Sequence, residues 1–157
     1  MERDSLPRLR SLLTESRLVA LALVVDGEPV AGLVPFLVAE DLTGLHVHVS
    51  SLARHSRGLS PGARFSAVLH LPDRPDLDAL RVPRLLVEGA VEEVAEAALD
   101  TLRRAWVDRY PSATMTLGLG DFTFRRLTIE GGRLITGFAQ AERFGPIDLA
   151  DAAALEG

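Results

Sequence analysis

Cysteine is absent from all 157 residues. That excludes disulfides, thiolate nucleophiles, Cys-ligated zinc and iron–sulfur ligation, and it suits a reducing cytoplasm, the expected location. Long apolar runs are missing as well. The longest, LVALALVV at 18–25, falls short of the about 20 residues that cross a bilayer. The opening MERDSLPRLR mixes acids and bases ahead of any hydrophobic stretch, so it does not read as a secretory leader, and no membrane partner is expected. Positive charge is in the minority, 17 basic against 22 acidic residues for a net charge of -5, which argues against a general nucleic-acid footprint. Several motifs are also lacking. No GxGxxG or GxxxxGK[ST] loop, no HExxH and no GxSxG elbow occurs, so the nucleotide folds, zinc proteases and hydrolases built on them are poor fits.

What remains is 47% hydrophobic, enough for one domain over 1–157 with a sizeable core. Leu6, Leu9, Leu12 and Leu13 recur at helical spacing within an N-terminal helix inside 1–17, with Asp4 or Ser5 as cap and Pro7 in the first turn. Residues 18–25 read as a strand ending at the turn pair Asp26-Gly27, and 30–39 as its partner, with Pro35 marking an edge or bulge. Further strands are expected at 45–50, 64–71, 83–93, 122–129 and 133–138. A short helix is expected at 51–59, a turn at EGG 130–132, and an interruption at Gly89. Residues 93–109 carry a helical stripe of Val94, Ala98, Leu102, Ala105 and Trp106. The tail 145–157 is expected to fray. Successive hairpin-like pairs favour an antiparallel, mainly β fold with flanking helices, an α+β small barrel.

Three of the four histidines lie in LHVHVSSLARHSRG at 45–58. Strand alternation sets Leu45, Val47 and Val49 on one face and His46, His48 and Ser50 on the other. Two imidazoles at that spacing can chelate a metal if His55 or His70 joins them; the bland alternative, which weighs more, is a half-solvated strand face, and no metal is assigned. The segment Ser50–Arg57 reads either as a phosphate cradle of hydroxyls, arginine forks and a helix start, or as a solvated basic helix. Arg81 and Arg84 either complete that pocket or solubilise a strand end. Phe122 and Phe124 read best as an aromatic core pair, the alternative being a surface for a flat ring cofactor, and Phe138 and Phe144 share that ambiguity. No side chain reads as a catalytic acid, base or nucleophile, so no catalytic residue is assigned; if the protein is an enzyme, a cofactor carries its reaction.

Taken together, VAGLVPFLV at 30–38, LHVHVSSLARHSRGL at 45–59, PRLLVEGAVEEV at 83–94 and DFTFRRLTIEGGRLITGFAQAERF at 121–144 resemble the pyridoxamine 5'-phosphate oxidase-like proteins with the FMN-binding split barrel, and most of all their haem-utilisation branch. The resemblance implies a six-stranded split β-barrel that forms a homodimer with FMN at the subunit interface. It places the flavin phosphate on Ser50, Arg54, His55, Ser56 and Arg57, with Arg84 on the following long strand, and the flavin ring against backbone at Leu33, Val34 and Pro35. It implies an FMN-dependent oxidoreductase of unknown substrate. The arginine-containing second-strand opening of the B6 oxidases is replaced here by Ala31-Gly32-Leu33, which turns the reading away from vitamin B6 oxidation. Haem is the alternative cofactor, with His46 or His48 on iron and Arg57 or Arg84 on a propionate. The branch commonly has a C-terminal extension with an iron-ligating histidine, and here no histidine follows His70. A third reading is a non-enzymatic dimer with a vestigial pocket.

Overall fold

The computed structural model describes residues 1–76, 78–137 and 139–155; Phe138 lies outside the described residues. The chain runs α1 (Leu6–Glu15), β1 (Leu18–Val25), β2 (Glu28–Pro35), β3 (Leu37–Val38), β4 (Gly44–Ser50), a 3-10 turn (Arg54–Gly58), β5 (Arg64–His70), β6 (Arg84–Glu93), α2 (Glu96–Arg109), α3 (Thr114–Leu117), β7 (Phe122–Gly137), β8 (Gln140–Phe144) and α4 (Pro146–Ala153). Asp26 and Gly27 form the two-residue β1–β2 loop, both with positive φ (55° and 80°), the hairpin geometry that Asp-Gly favours.

All strand pairs are antiparallel, in the order β2-β1-β5-β6-β7-β4-β3, with β8 on the free half of β7. β2 and β3 lie at opposite ends of this order, yet only Phe36 separates them in sequence. The sheet must therefore curl until its two ends nearly meet. Phe36 is wholly buried at the junction, and its N–H donates to the Arg17 carbonyl. The result is a half-barrel of eight strands rather than six. Three departures from the seven strand runs of the sequence account for the number: one split, one merger and one addition. The run 30–39 is broken at Pro35-Phe36 into β2 and β3. The EGG segment does not reverse the chain; β7 continues through it for 16 residues, paired with β6 on both sides, and the new strand β8 follows at 140–144.

Close packing between β6 and β7 requires glycine at two positions. A Cβ on Gly132 would lie 1.9 Å from the Leu86 carbonyl oxygen, and one on Gly89 only 1.8 Å from that of Thr128. Gly89 also marks the register shift between β6 and β7, as its position in the run predicts.

The barrel interior is filled by side chains such as Leu45, Val47, Leu85, Val87 and Leu127, and α1 covers one end through Leu9, Leu12 and Leu13. Ser5 stands at the N-cap but makes no cap bond; its hydroxyl donates to Glu142 on β8. A second cluster, Leu102, Trp106, Tyr110 and Phe124, glues α2 to the outside of β7, with Leu37 packed against it. The segment expected to fray is helical over 146–153. Its Leu149 and Ala152 are buried, and Arg10 of α1 donates to the carbonyls of Ala152 and Ala153. Apolar residues at helical spacing and these long-range partners outweigh the segment's acidic composition. No helix among the described residues is long and apolar enough to cross a membrane.

Candidate functional site

The alternation of β4 holds. Leu45, Val47 and Val49 point into the core, and His46 and His48 lie on the opposite face, beneath α2. His48 sits among aromatic rings, 4.3 Å from Phe124, 5.1 Å from Phe122 and 6.0 Å from Trp106 between centroids. Burial, assisted by the Arg103 charge, pushes its pKa down. His46 lies in a cleft with Leu37, Leu102 and Arg126, and burial followed by the Arg126 guanidinium lowers its pKa too. Both imidazoles are therefore biased toward the neutral form. Among the described residues, no three His, Cys, Asp or Glu side chains come together as a metal cluster.

The segment after β4 is not an α-helix. Residues 54–58 form a 3-10 turn, and Ala53 before it provides no capping side chain, so the segment lacks an α-helical N-terminus for an anion. Its groups are largely engaged within the chain. Ser50 Oγ donates to Asp121 Oδ2 at 2.5 Å and accepts from Leu52 N–H. Arg57 grips Asp26 with Nη2 at 2.7 and 3.0 Å from the two carboxylate oxygens. The His55 ring packs on β2, where a Cβ on Gly32 would lie 3.0 Å from His55 Cγ. Ser56 Oγ is buried without a hydrogen-bond partner. Arg54 is exposed.

The fold thus brings the 3-10 turn beside β2, and so near Leu33, Val34 and Pro35. Leu33 and Pro35 face outward, while the Val34 side chain belongs to the core. Arg84 is elsewhere. It opens β6, separated from β2 by β1 and β5, and stands directly across from His70.

A second feature lies on the outer face of β2-β1-β5-β6. Half-exposed antiparallel strands normally alternate apolar-in, polar-out. Every outward residue of β1 is apolar: Leu18, Ala20, Ala22 and Val24. Register aligns Leu33, Ala20, Val68 and Leu86 as one apolar row across four strands. Leu33 and Val24 are 66% and 65% exposed.

At one end this face deepens into a groove of about 460 Å³, lined by Ser16, Arg17, Leu18, Leu33, Val68 and His70 among others. Ser16 is only 8% exposed and its hydroxyl has no partner. The Arg17 guanidinium lies 5.3 Å from the Tyr110 ring centroid. His70 Nδ1 is 2.7 Å from the Leu71 carbonyl oxygen, so Nδ1 carries the proton and donates it. Sequence reasoning passed over this groove, although the signal was present: LVALALVV is apolar at both phases of its alternation.

No family model matches the sequence, and no curated protein matches it. Solved structures do. A haem-binding protein from Mycobacterium smegmatis is 23% identical with a TM-score of 0.80, covering 96% of this chain and 62% of that one. The haem storage protein HutZ from Vibrio cholerae is 24% identical with a TM-score of 0.68, covering 83% of this chain and 93% of that one. A general stress protein 26-related protein of the pyridoxinephosphate oxidase family, from Clostridium acetobutylicum, is 16% identical with a TM-score of 0.66, covering 95% and 99%. This chain spans less than two thirds of the length of the mycobacterial protein. It has the fold of these structures, a pyridoxamine 5'-phosphate oxidase-like split barrel.

Proposed function

We propose that this chain is a haem-binding split-barrel protein that pairs with a second copy through the outer face of β1, β2 and β5. The observation that carries the reading is the groove at one end of that face. Haem is a flat apolar macrocycle with two carboxylates, and a site for it needs apolar walls, cations at the rim and a nitrogen donor. The groove provides walls from Leu18, Leu33 and Val68, a guanidinium from Arg17, an imidazole from His70, and the buried, unpartnered hydroxyl of Ser16. Iron is what the bound group would supply; the chain's own part is to desolvate the ring and neutralise its acids. Structural relatives that bind or store haem support the reading. The lack of cysteine suits a cytoplasmic setting.

This order reverses the expectation from sequence, in which FMN came first. Two members of the expected phosphate grip, Ser50 and Arg57, are already paired with Asp121 and Asp26. Both would have to exchange an existing carboxylate partner for the phosphate, a small cost at the exposed Arg57–Asp26 pair. One observation still favours FMN as the second reading: the orphaned Ser56 hydroxyl, beside β2 and next to exposed Arg54 and His55. Parallel titrations of the purified chain with hemin and with FMN separate the two. A saturable, shifted Soret band with hemin, and no quenching of flavin fluorescence, is the expected result. Flavin uptake without hemin uptake supports the second reading. Uptake of neither leaves a binding-silent barrel and ends both.

A further inference from the structure

We infer that His70 is the iron ligand of this groove, with Arg17 and Arg84 as the partners of the two haem carboxylates; the inference rests on the haem reading above.

Four histidines are present, and the structure separates them. His46 and His48 lie beneath α2, on the far side of the sheet order from the groove, and His48 is stacked among aromatic rings. The His55 ring is packed onto β2 at Gly32. Only His70 lines the groove.

Its ring orientation also fits ligation. A carbonyl oxygen only accepts, so the 2.7 Å contact from Nδ1 to the Leu71 carbonyl uses Nδ1 as the donor. In the neutral ring this leaves the lone pair on Nε2. Metal-bound imidazoles are typically held this way, with the second ring nitrogen donating to a carbonyl or carboxylate that fixes the tautomer and raises basicity. Nε2 would then be the nitrogen that holds the iron, and the neutral ring would have no proton to give up.

The cations follow from topology. β5 lies between β1 and β6, and His70 is its last residue. Arg17 immediately precedes β1, and Arg84 opens β6 directly across from His70. Arg17 lines the groove with His70 and the Glu15 carboxylate, its guanidinium over the Tyr110 ring, and Arg84 faces His70 across the β5–β6 register. Neither forms an ion pair with an acid among the described residues; Arg84 reaches only the Val82 carbonyl, at 3.4 Å. Guanidinium forks suit carboxylates.

The test uses the full chain loaded with hemin. His70→Ala removes an exposed side chain at a strand end, so the fold should persist, and circular dichroism checks this. The expected result is an altered Soret band, loss of the iron–histidine stretch in the resonance Raman spectrum of the ferrous form, and affinity reduced by at least the ~10–100-fold that loss of a second-shell partner alone costs at metal sites. Added imidazole should restore the wild-type spectrum. His46→Ala and His55→Ala should leave it unchanged. A wild-type spectrum in His70→Ala overturns the ligand assignment while the haem reading stands, as does loss of the stretch in either control instead. Failure of the wild-type chain to take up hemin overturns both. Arg17→Ala and Arg84→Ala should each weaken hemin binding without moving the Soret band; wild-type affinity in both overturns the carboxylate assignment.

Discussion

At the scale of the residue, the two histidines of β4 turn burial into a pH dependence. Both have pKa values held below the ordinary 6.5, chiefly by burial. Unfolding returns them to water. Below about 6.5 the unfolded chain then binds protons that the native state refuses, so stability is complete above that pH and is lost as pH falls through the lower folded values. The melting temperature should decline as pH drops from about 7.5 to about 5. His48→Phe keeps a ring against Phe124 and Trp106 but removes one of the two titrations. Its melting temperature should fall less steeply over the same range. A slope equal to that of the wild type would show that His48 does not contribute.

At the scale of the element, α2 does more than cover the outside of the barrel. Its last residue and its C-cap reach back across the structure. Arg109 Nη2 donates to the carbonyls of Thr14 and Ser16, and Tyr110 Oη lies 2.9 Å from the Arg17 carbonyl oxygen and 2.6 Å from that of Phe36. A single phenolic proton is shared between these acceptors. The contacts tie together the end of α1, the start of β1 and the β2–β3 junction where the curled sheet closes. They also tie down the backbone of the groove at Ser16 and Arg17. Tyr110→Phe strips a buried carbonyl of its donor and should cost about 1–3 kcal/mol in urea unfolding, with little change in the m-value. An exposed tether would cost nothing measurable.

At the scale of the whole molecule, the outer face of the sheet carries an exposed apolar strip along β1 and Leu33. Leu18, Val24 and Leu33 are all more than half exposed, so covering them recovers over half of the about 1.5–3 kcal/mol that full burial of each side chain gains. An apolar strip across several strands marks an interaction surface. A second copy is the occupant expected from the split-barrel resemblance, and the groove then lies at the edge of the contact. Sedimentation velocity should show a dimer for the wild type. Val24→Lys combined with Leu33→Lys should give a folded monomer, since both side chains already face solvent in the isolated chain. A wild-type chain that sediments as a monomer would remove the dimer from the proposal.

Much of the architecture was legible without coordinates. The two-residue period of LHVHVS set the faces of β4, Asp-Gly dictated a tight hairpin, Gly89 announced the bulge, and the Leu6–Leu13 spacing drew α1. These are local properties, decided by neighbours two to four positions away. The long passage of β7 through EGG was not legible, because whether a glycine pair bends or reverses a strand depends on the partner it runs beside, here β6. The candidate site suffered for the same reason. Ser50 meets Asp121 and Arg57 meets Asp26, 71 and 31 residues apart. No spacing rule foretells such capture of a hydroxyl or a guanidinium. The groove joins the end of α1, β1, Leu33 and the end of β5, segments made adjacent only by the curl of the sheet. Residue types and periodicity therefore determined the elements, their buried faces and the chemistry at hand. The tertiary structure decided which cations and hydroxyls are still free for a ligand, because that depends on what folding brings within hydrogen-bonding distance.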